Sequence, residues 1–230
     1  MIKRIAAAVL VLFVAACAAR HPRPVAPPLR APAGLQSPPA PGEYPIDSSA
    51  SELRLLVYRA GPLRNLGHNH VMVNRAVSGS VQIGADVSAS SFSLRMRADA
   101  FVVDDAQSRQ EEGGDFPGDI PEDAKAGTRR NMLGSAMLNA AEFPDIMVKS
   151  TSLTGAWNAL NADVEISVAG HTSRMSVPLI LQGDARRIIA SGSMELRQSA
   201  LGLVPYSLMH GALQVQDGMQ LKFKITVLMN

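Results

Sequence analysis

The stretch LQVQDGMQLKFKITVLM, from Leu213 to Met229, reads as β structure throughout. In its second half Leu221, Phe223, Ile225 and Val227 alternate with Lys222, Lys224 and Thr226, so one face is apolar and the other polar. That period of two belongs to a half-buried strand. Asp217-Gly218 falls between two such runs. An Asp-Gly pair in that setting is a strong hairpin signal, because a type I′ turn needs positive φ at both central residues. A hairpin turning at Asp217-Gly218 is therefore expected.

The same alternation recurs upstream. Leu53, Leu55 and Val57 share a face, as do Phe92, Leu94, Met96 and Ala98 opposite Ser91, Ser93, Arg95 and Arg97. Ile146 with Val148, Val164 with Ile166 and Val168, and Met175 with Val177, Leu179 and Leu181 repeat it. About eight or nine short strands separated by turn residues suggest an all-β sandwich or barrel, and closure removes exposed sheet edges. An antiparallel β-barrel is expected.

Two segments interrupt the pattern. Residues 104–127, DDAQSRQEEGGDFPGDIPEDAKAG, are acidic and rich in Gly and Pro, which reads as a solvated insertion or a lid over a barrel mouth. TRRNMLGSAMLNAAEFP, from Thr128, then reads as a helix capped by Thr128, with Met132, Leu133, Ala136 and Met137 on one stripe. That stripe is expected to plug one end of the barrel.

The N-terminal part is of another kind. Lys3 and Arg4 precede an apolar run ending in small residues before Cys17, the build of a secretory signal peptide over residues 1–16. The run falls short of the roughly 20 apolar residues that a spanning helix needs. VAAC resembles the bacterial lipobox, whose cysteine is acylated. Cys17 is the only cysteine of the chain, so it has no intramolecular disulfide partner. Residues 17–42 are rich in Pro and almost free of large apolar side chains, which predicts an extended tether. Ala18 after the cysteine resembles the outer-membrane sorting pattern, so a lipoprotein of the bacterial envelope facing the periplasm is expected. Residues 43–230 are then one domain by length. A formal net charge of +2 gives no argument for nucleic acid, and the sequence leaves protein partners open.

The order of the pieces carries a resemblance. YPIDSSASELRLLVY, SGSVQIG, RRNMLGSAMLNAAEFPDIMVKST, ISVAGHTSRMSVPLIL and ASGSMELRQSALGL together resemble the YceI-like family. The most specific pieces are LNAAEFPDIMVKS and VAGHTSRMSVPL. The resemblance covers nearly all of the body and none of the tether. It implies a lipocalin-like antiparallel barrel around an apolar tunnel that holds a long isoprenoid chain, such as a polyprenyl quinone, with no established catalytic activity; no cofactor besides such a bound lipid is expected. The lining would come from the apolar faces: Leu55, Val57, Phe92, Leu94, Met96, Ile166, Val168, Leu179, Leu181, Phe223 and Ile225. The chain departs from the family pattern in its tether, its long acidic insertion and the pentapeptide LGHNH.

In that pentapeptide His68 and His70 share a strand face, with Met72 next along it. Three readings stay open: a hydrogen-bonded structural pair, contacts to a ligand headgroup by His68, Asn69, His70 and His210, or a metal site. His-x-His supplies only two ligands of the three or four needed. A set of His68, His70 and His210, with Met72 or Met209 added, would suit copper or zinc. No nucleophile elbow, metalloprotease motif or phosphate-cradling loop is present. An enzyme is not expected.

Overall fold

The computed structural model describes residues 34, 35, 38–184 and 186–229. The expected signal peptide, Cys17 and most of the expected tether lie outside the described residues. In chain order the strands are β1 (Gly42–Pro45), β2 (Glu52–Ala60), β3 (His70–Asn74), β4 (Ser78–Ile83), β5 (Ser91–Arg97) and β6 (Val102–Val103). They continue as β7 (Asp145–Ala156), β8 (Ala159–Val168), β9 (His171–Gly183), β10 (Arg187–Arg197), β11 (Ser207–Leu208) and β12 (Leu213–Leu228). Each alternating run named above lies in one of these strands, except that Ala98 falls in the short turn after β5.

The hydrogen-bonded order is β1-β4-β5-β7-β8-β9-β10-β12-β2-β3-β6, with β11 paired to β12, in one antiparallel sheet. Just past β1, Ile46 bridges Val227 of β12, and the Asp47 N–H donates to the Thr226 carbonyl at 2.8 Å. The sheet thus curls back on itself as a lipocalin-like barrel.

The expected C-terminal hairpin is corrected: Leu213–Leu228 is one strand of 16 residues. Neither Asp217 nor Gly218 has positive φ, so the type I′ turn does not form. Instead the pairing with β2 jumps from Val215↔Arg59 to Met219↔Val57, which makes a bulge. At the bulge the Asp217 carboxylate accepts from the Ser199 N–H and hydroxyl at 2.8 and 2.6 Å, which fixes the turn after β10. A tight two-residue turn does occur at Ala169-Gly170, where both residues have positive φ and Val168 pairs with His171. A Cβ on Gly170 would stand 2.8 Å from the Phe143 ring, so the Phe-Pro step and the β8–β9 turn pack against each other.

The acidic insertion is corrected as well. Residues 104–120 are neither a solvated loop nor a lid. They hold α1 (Ala106–Glu112), capped by Asp105, whose carboxylate accepts from the Gln107 and Ser108 N–H groups. Phe116 is buried with Leu56, Val71 and Val73, so the segment covers the outer face of β2 and β3. Arg54 of β2 pairs with Glu111 and Glu112 of α1 at 2.9 and 2.8 Å. The next helix, α2 (Glu122–Leu133), starts earlier than expected, so Thr128 lies inside it and does not cap it. Pro121 opens it, and Glu122 and Asp123 suit the positive end of its dipole. It stops at Gly134, which leaves Ala136 and Met137 in the following turns.

The barrel interior contains two apolar clusters. One includes Ile83, Leu153, Leu181 and Val227, the other Val57, Phe101, Met132, Leu138, Leu196 and Leu203. Leu53, Ile146, Ile166, Met175 and Phe223 pack against both and are only partly buried. The expected tether also reaches the barrel earlier than residue 43. Gly34 bridges Gln182, and Leu35 packs on the first cluster.

One stretch of wall is thin. β9 and β10 pair only over Gly183–Ile180 against Ile188–Ser191, although both strands run on. The ladder ends beside Pro178, which has no N–H to donate.

Candidate functional site

The barrel encloses a cavity of about 390 Å³ that borders both apolar clusters. All eleven apolar residues named from the alternation, Leu55 through Ile225, lie on its wall. Phe101, Met132, Leu138 and Leu203 add to the wall at the end where His70 sits, and Trp157, Ile83 and Pro39 line it elsewhere. Leu55, Phe92, Leu94, Ile166 and Phe223 are half-buried rather than sealed. Apolar groups left reachable inside a fold are a standing gain for any apolar chain that covers them, about 0.8 kcal/mol per CH₂ before association costs.

The histidines part company in the structure. His68 is exposed, and its ring lies edge-on to that of His70 with 6.4 Å between centroids. Both line the cavity, as does Met72. Asn69 is off the wall: its amide donates to the Asp115 carbonyl at 2.9 Å and its oxygen accepts from the Arg59 N–H at 3.0 Å. The amide is therefore committed to fixing the β2–β3 connection, which corrects its expected place at the headgroup. His210 is corrected likewise. It sits exposed in a turn with φ +55° and is absent from the wall, because the chain after β11 bends outward there. Among the described residues no three His, Cys, Asp or Glu side chains gather closely enough to hold a metal ion, so the His68, His70 and His210 set is not assembled.

Nothing in the spelling of LGHNH signals what holds His70. Its Nδ1 lies 2.6 Å from Asp104 Oδ2, and Asp104 is fully buried. Asp104 Oδ1 accepts from the Val71 N–H at 2.9 Å and from Arg109 at 2.7 Å. Arg109 of α1 is itself buried and donates to the carbonyls of Asn69, Pro117 and Gly118 as well, with its guanidinium 5.9 Å from the Phe116 ring centre. Burial pushes the Asp104 carboxyl up, but the His70 ring, the Val71 N–H and Arg109 outweigh it and hold the carboxyl below its ordinary value. Asp104 also has φ +54°, an uncommon conformation for a residue with a side chain. The sequence does carry one signal for Asp104. It follows the apolar pair Val102-Val103 directly, at the point where β6 ends.

The sequence comparisons agree with this architecture. The YceI-like domain model matches residues 44–227. No curated protein matches the sequence. Among solved structures the chain is similar to BcnA of Burkholderia cenocepacia, with 14% identity and a TM-score of 0.59 over 79% of this chain and 98% of that one. It is also similar to a polyisoprenoid binding domain from Saccharophagus degradans implicated in plant cell wall breakdown, at 12% identity and TM-score 0.52 over 81% and 98% of the two chains. A YCEI protein of Campylobacter jejuni, in a mutant form, aligns at 8% identity and TM-score 0.51 over 69% and 84%. At these identities the structural matches speak for the fold. With the domain model spanning the whole barrel, the chain belongs to the YceI-like family.

Proposed function

We propose that this chain is a binding protein, not an enzyme, and that it holds an isoprenoid-type lipid such as a polyprenyl quinone in its barrel. The observation that carries the reading is the apolar cavity of about 390 Å³, whose wall leaves large apolar side chains only partly covered. The Saccharophagus degradans relative, described as polyisoprenoid binding, supports the same ligand class. In this reading Leu55, Val57, Phe92, Leu94, Met96, Ile166, Val168, Leu179, Leu181, Phe223 and Ile225 desolvate the tail, and His70, with His68 beside it, meets the head. The sequence features of residues 1–42 add the setting: a signal peptide, acylated Cys17 and a Pro-rich tether, holding the barrel to the outer membrane on its periplasmic side.

The test is native mass spectrometry of the full chain purified from a bacterial envelope, with lipid extraction and metal analysis on the same sample. A co-purifying species of isoprenoid mass, without stoichiometric metal, is expected. An empty barrel carrying one transition metal that is lost on joint substitution of His68 and His70 by Ala would overturn the reading. For the anchor, the Cys17→Ser chain is expected in the soluble fraction, and its retention in the membrane fraction would count against acylation.

A further inference from the structure

The polar chemistry of the cavity wall narrows the kind of head that fits. Arg59 donates one of its N–H groups, on Nη1, to the Gly67 carbonyl at 2.7 Å, and Gln198 donates its amide to the Gln216 carbonyl at 2.8 Å. Asn131 is exposed, and Thr128, Tyr206 and Gln214 are half-exposed; none of the four has a fixed side-chain partner among the described residues. His70 differs from all of these. Its ring is clamped through Nδ1 by Asp104, and Asp104 is clamped in turn by Arg109 and the Val71 N–H. No protein group pairs with the other ring nitrogen, Nε2, among the described residues, and it is not among the buried atoms without a partner. It is therefore an open polar atom on a side chain that lines the cavity.

The state of that atom follows from what Nδ1 faces. Asp104 and Arg109, with side chains 0% and 3% exposed, form an ion pair at 2.7 Å that holds the carboxylate in place. In the neutral ring of His70, itself 14% exposed, Nδ1 carries the hydrogen, because it faces a carboxylate that can only accept. That leaves Nε2 with a lone pair and no hydrogen. We infer that the lipid head recognised here is a hydrogen-bond donor, a hydroxyl at the end of the apolar chain, accepted by His70 Nε2 and oriented by the buried Asp104–Arg109 pair. A carbonyl or ether oxygen at the same place would set lone pair against lone pair. His68, exposed and edge-on at 6.4 Å, offers no fixed donor in compensation.

The inference rests on the lipid-binding reading and narrows its head from a polyprenyl quinone to a donor-bearing form, the hydroquinone or an alcohol, so the experiment separates the two. Equilibrium binding by the purified full chain is measured for geranylgeraniol and for its methyl ether, which has the same tail and no donor. A second pair, an isoprenoid hydroquinone and its quinone, shows whether the hydroxyl is alcoholic or phenolic. Geranylgeraniol, or the hydroquinone if the head is phenolic, is expected to bind about 3- to 10-fold tighter than its donor-free counterpart, the span of one net hydrogen bond. His70→Phe is expected to abolish that preference while the affinity for the ether stays nearly constant. His70→Gln can donate to Asp104 and still accept from the ligand, so it is expected to keep part of the preference and serves if His70→Phe fails to fold. Equal affinities within both pairs, or a preference untouched by His70→Phe, would overturn the donor-head inference and leave the lipid carrier standing. If neither member of either pair binds, the lipid reading falls and this inference with it.

Discussion

Asp104 sits at the centre of an ionic network that reaches the cavity, and it is held against two costs, burial and a left-handed backbone. Removing the carboxylate strands the buried Arg109, so Asp104→Ala is expected to destabilise the chain by about 3–5 kcal/mol in urea unfolding. A loss under about 1 kcal/mol would show that Arg109 finds water or another partner. The pH dependence has a definite sign. Because the folded carboxyl lies below its unfolded value, near 3.9, its contribution is complete above about pH 4 and is lost as pH falls through the lowered folded value. Glu112 adds to the same trend: burial raises its carboxyl, but Lys222 and Arg54 together pull it lower. The melting temperature is expected to drop steeply on acidification below about pH 4, and Asp104→Ala should flatten that drop. At this scale alternation names which side of a strand a residue takes, and it does not separate the apolar side chains that line the cavity from those that fill the core. Asp104 and Arg109 were not legible, because an acid and a base in an acidic stretch look solvated until a tertiary partner buries them.

Among the elements, two Gly-containing dipeptides show how far local signals reach. Asp217-Gly218 has the stronger turn chemistry and forms a bulge, because both halves of β12 gain more ladder bonds by continuing past β10 and β2 than a hairpin would give. Ala169-Gly170 has the weaker spelling and makes the turn, because β8 and β9 flank it in full register. A methyl at Gly170 would have to accept φ +78° and displace the Phe143 ring, so Gly170→Ala is expected to cost about 1–3 kcal/mol. The same change at Gly218, whose φ is not positive, should cost less. Equal losses at the two sites, by chemical denaturation, would contradict this account. The helix shows the same limit: its existence is readable from spacing, but its start is hidden because Pro121 and the acidic first turn are spelled like a loop.

For the whole molecule, the cavity links occupancy to stability. A ligand that binds only the folded barrel stabilises it by about 2.7 kcal/mol at 100 times its Kd, equivalent to roughly 5–10 °C for a domain of this size. Delipidated protein is therefore expected to melt lower than protein carrying its lipid, and equal melting temperatures would mean that the lipid does not bind the folded barrel in preference to the unfolded chain. The barrel as a whole was legible because one buried face per strand, repeated along the chain, leaves closure as the simplest way to cover them all.

The short ladder between β9 and β10 bears on how such an occupant fits. The tight turn makes Val168 and His171 a hydrogen-bonded pair, so odd-numbered amides of β9 point to β8 and even-numbered ones to β10. Where the strands part beyond Ile180 and Ser191, the amides of Arg174 and Ser176 therefore lack ladder partners. They are expected to exchange with deuterium sooner than amides of the fully paired β7 and β8. A wall left unbuttoned along one line can change its girth without breaking a ladder bond, so the barrel has a built-in allowance for tails of unequal thickness.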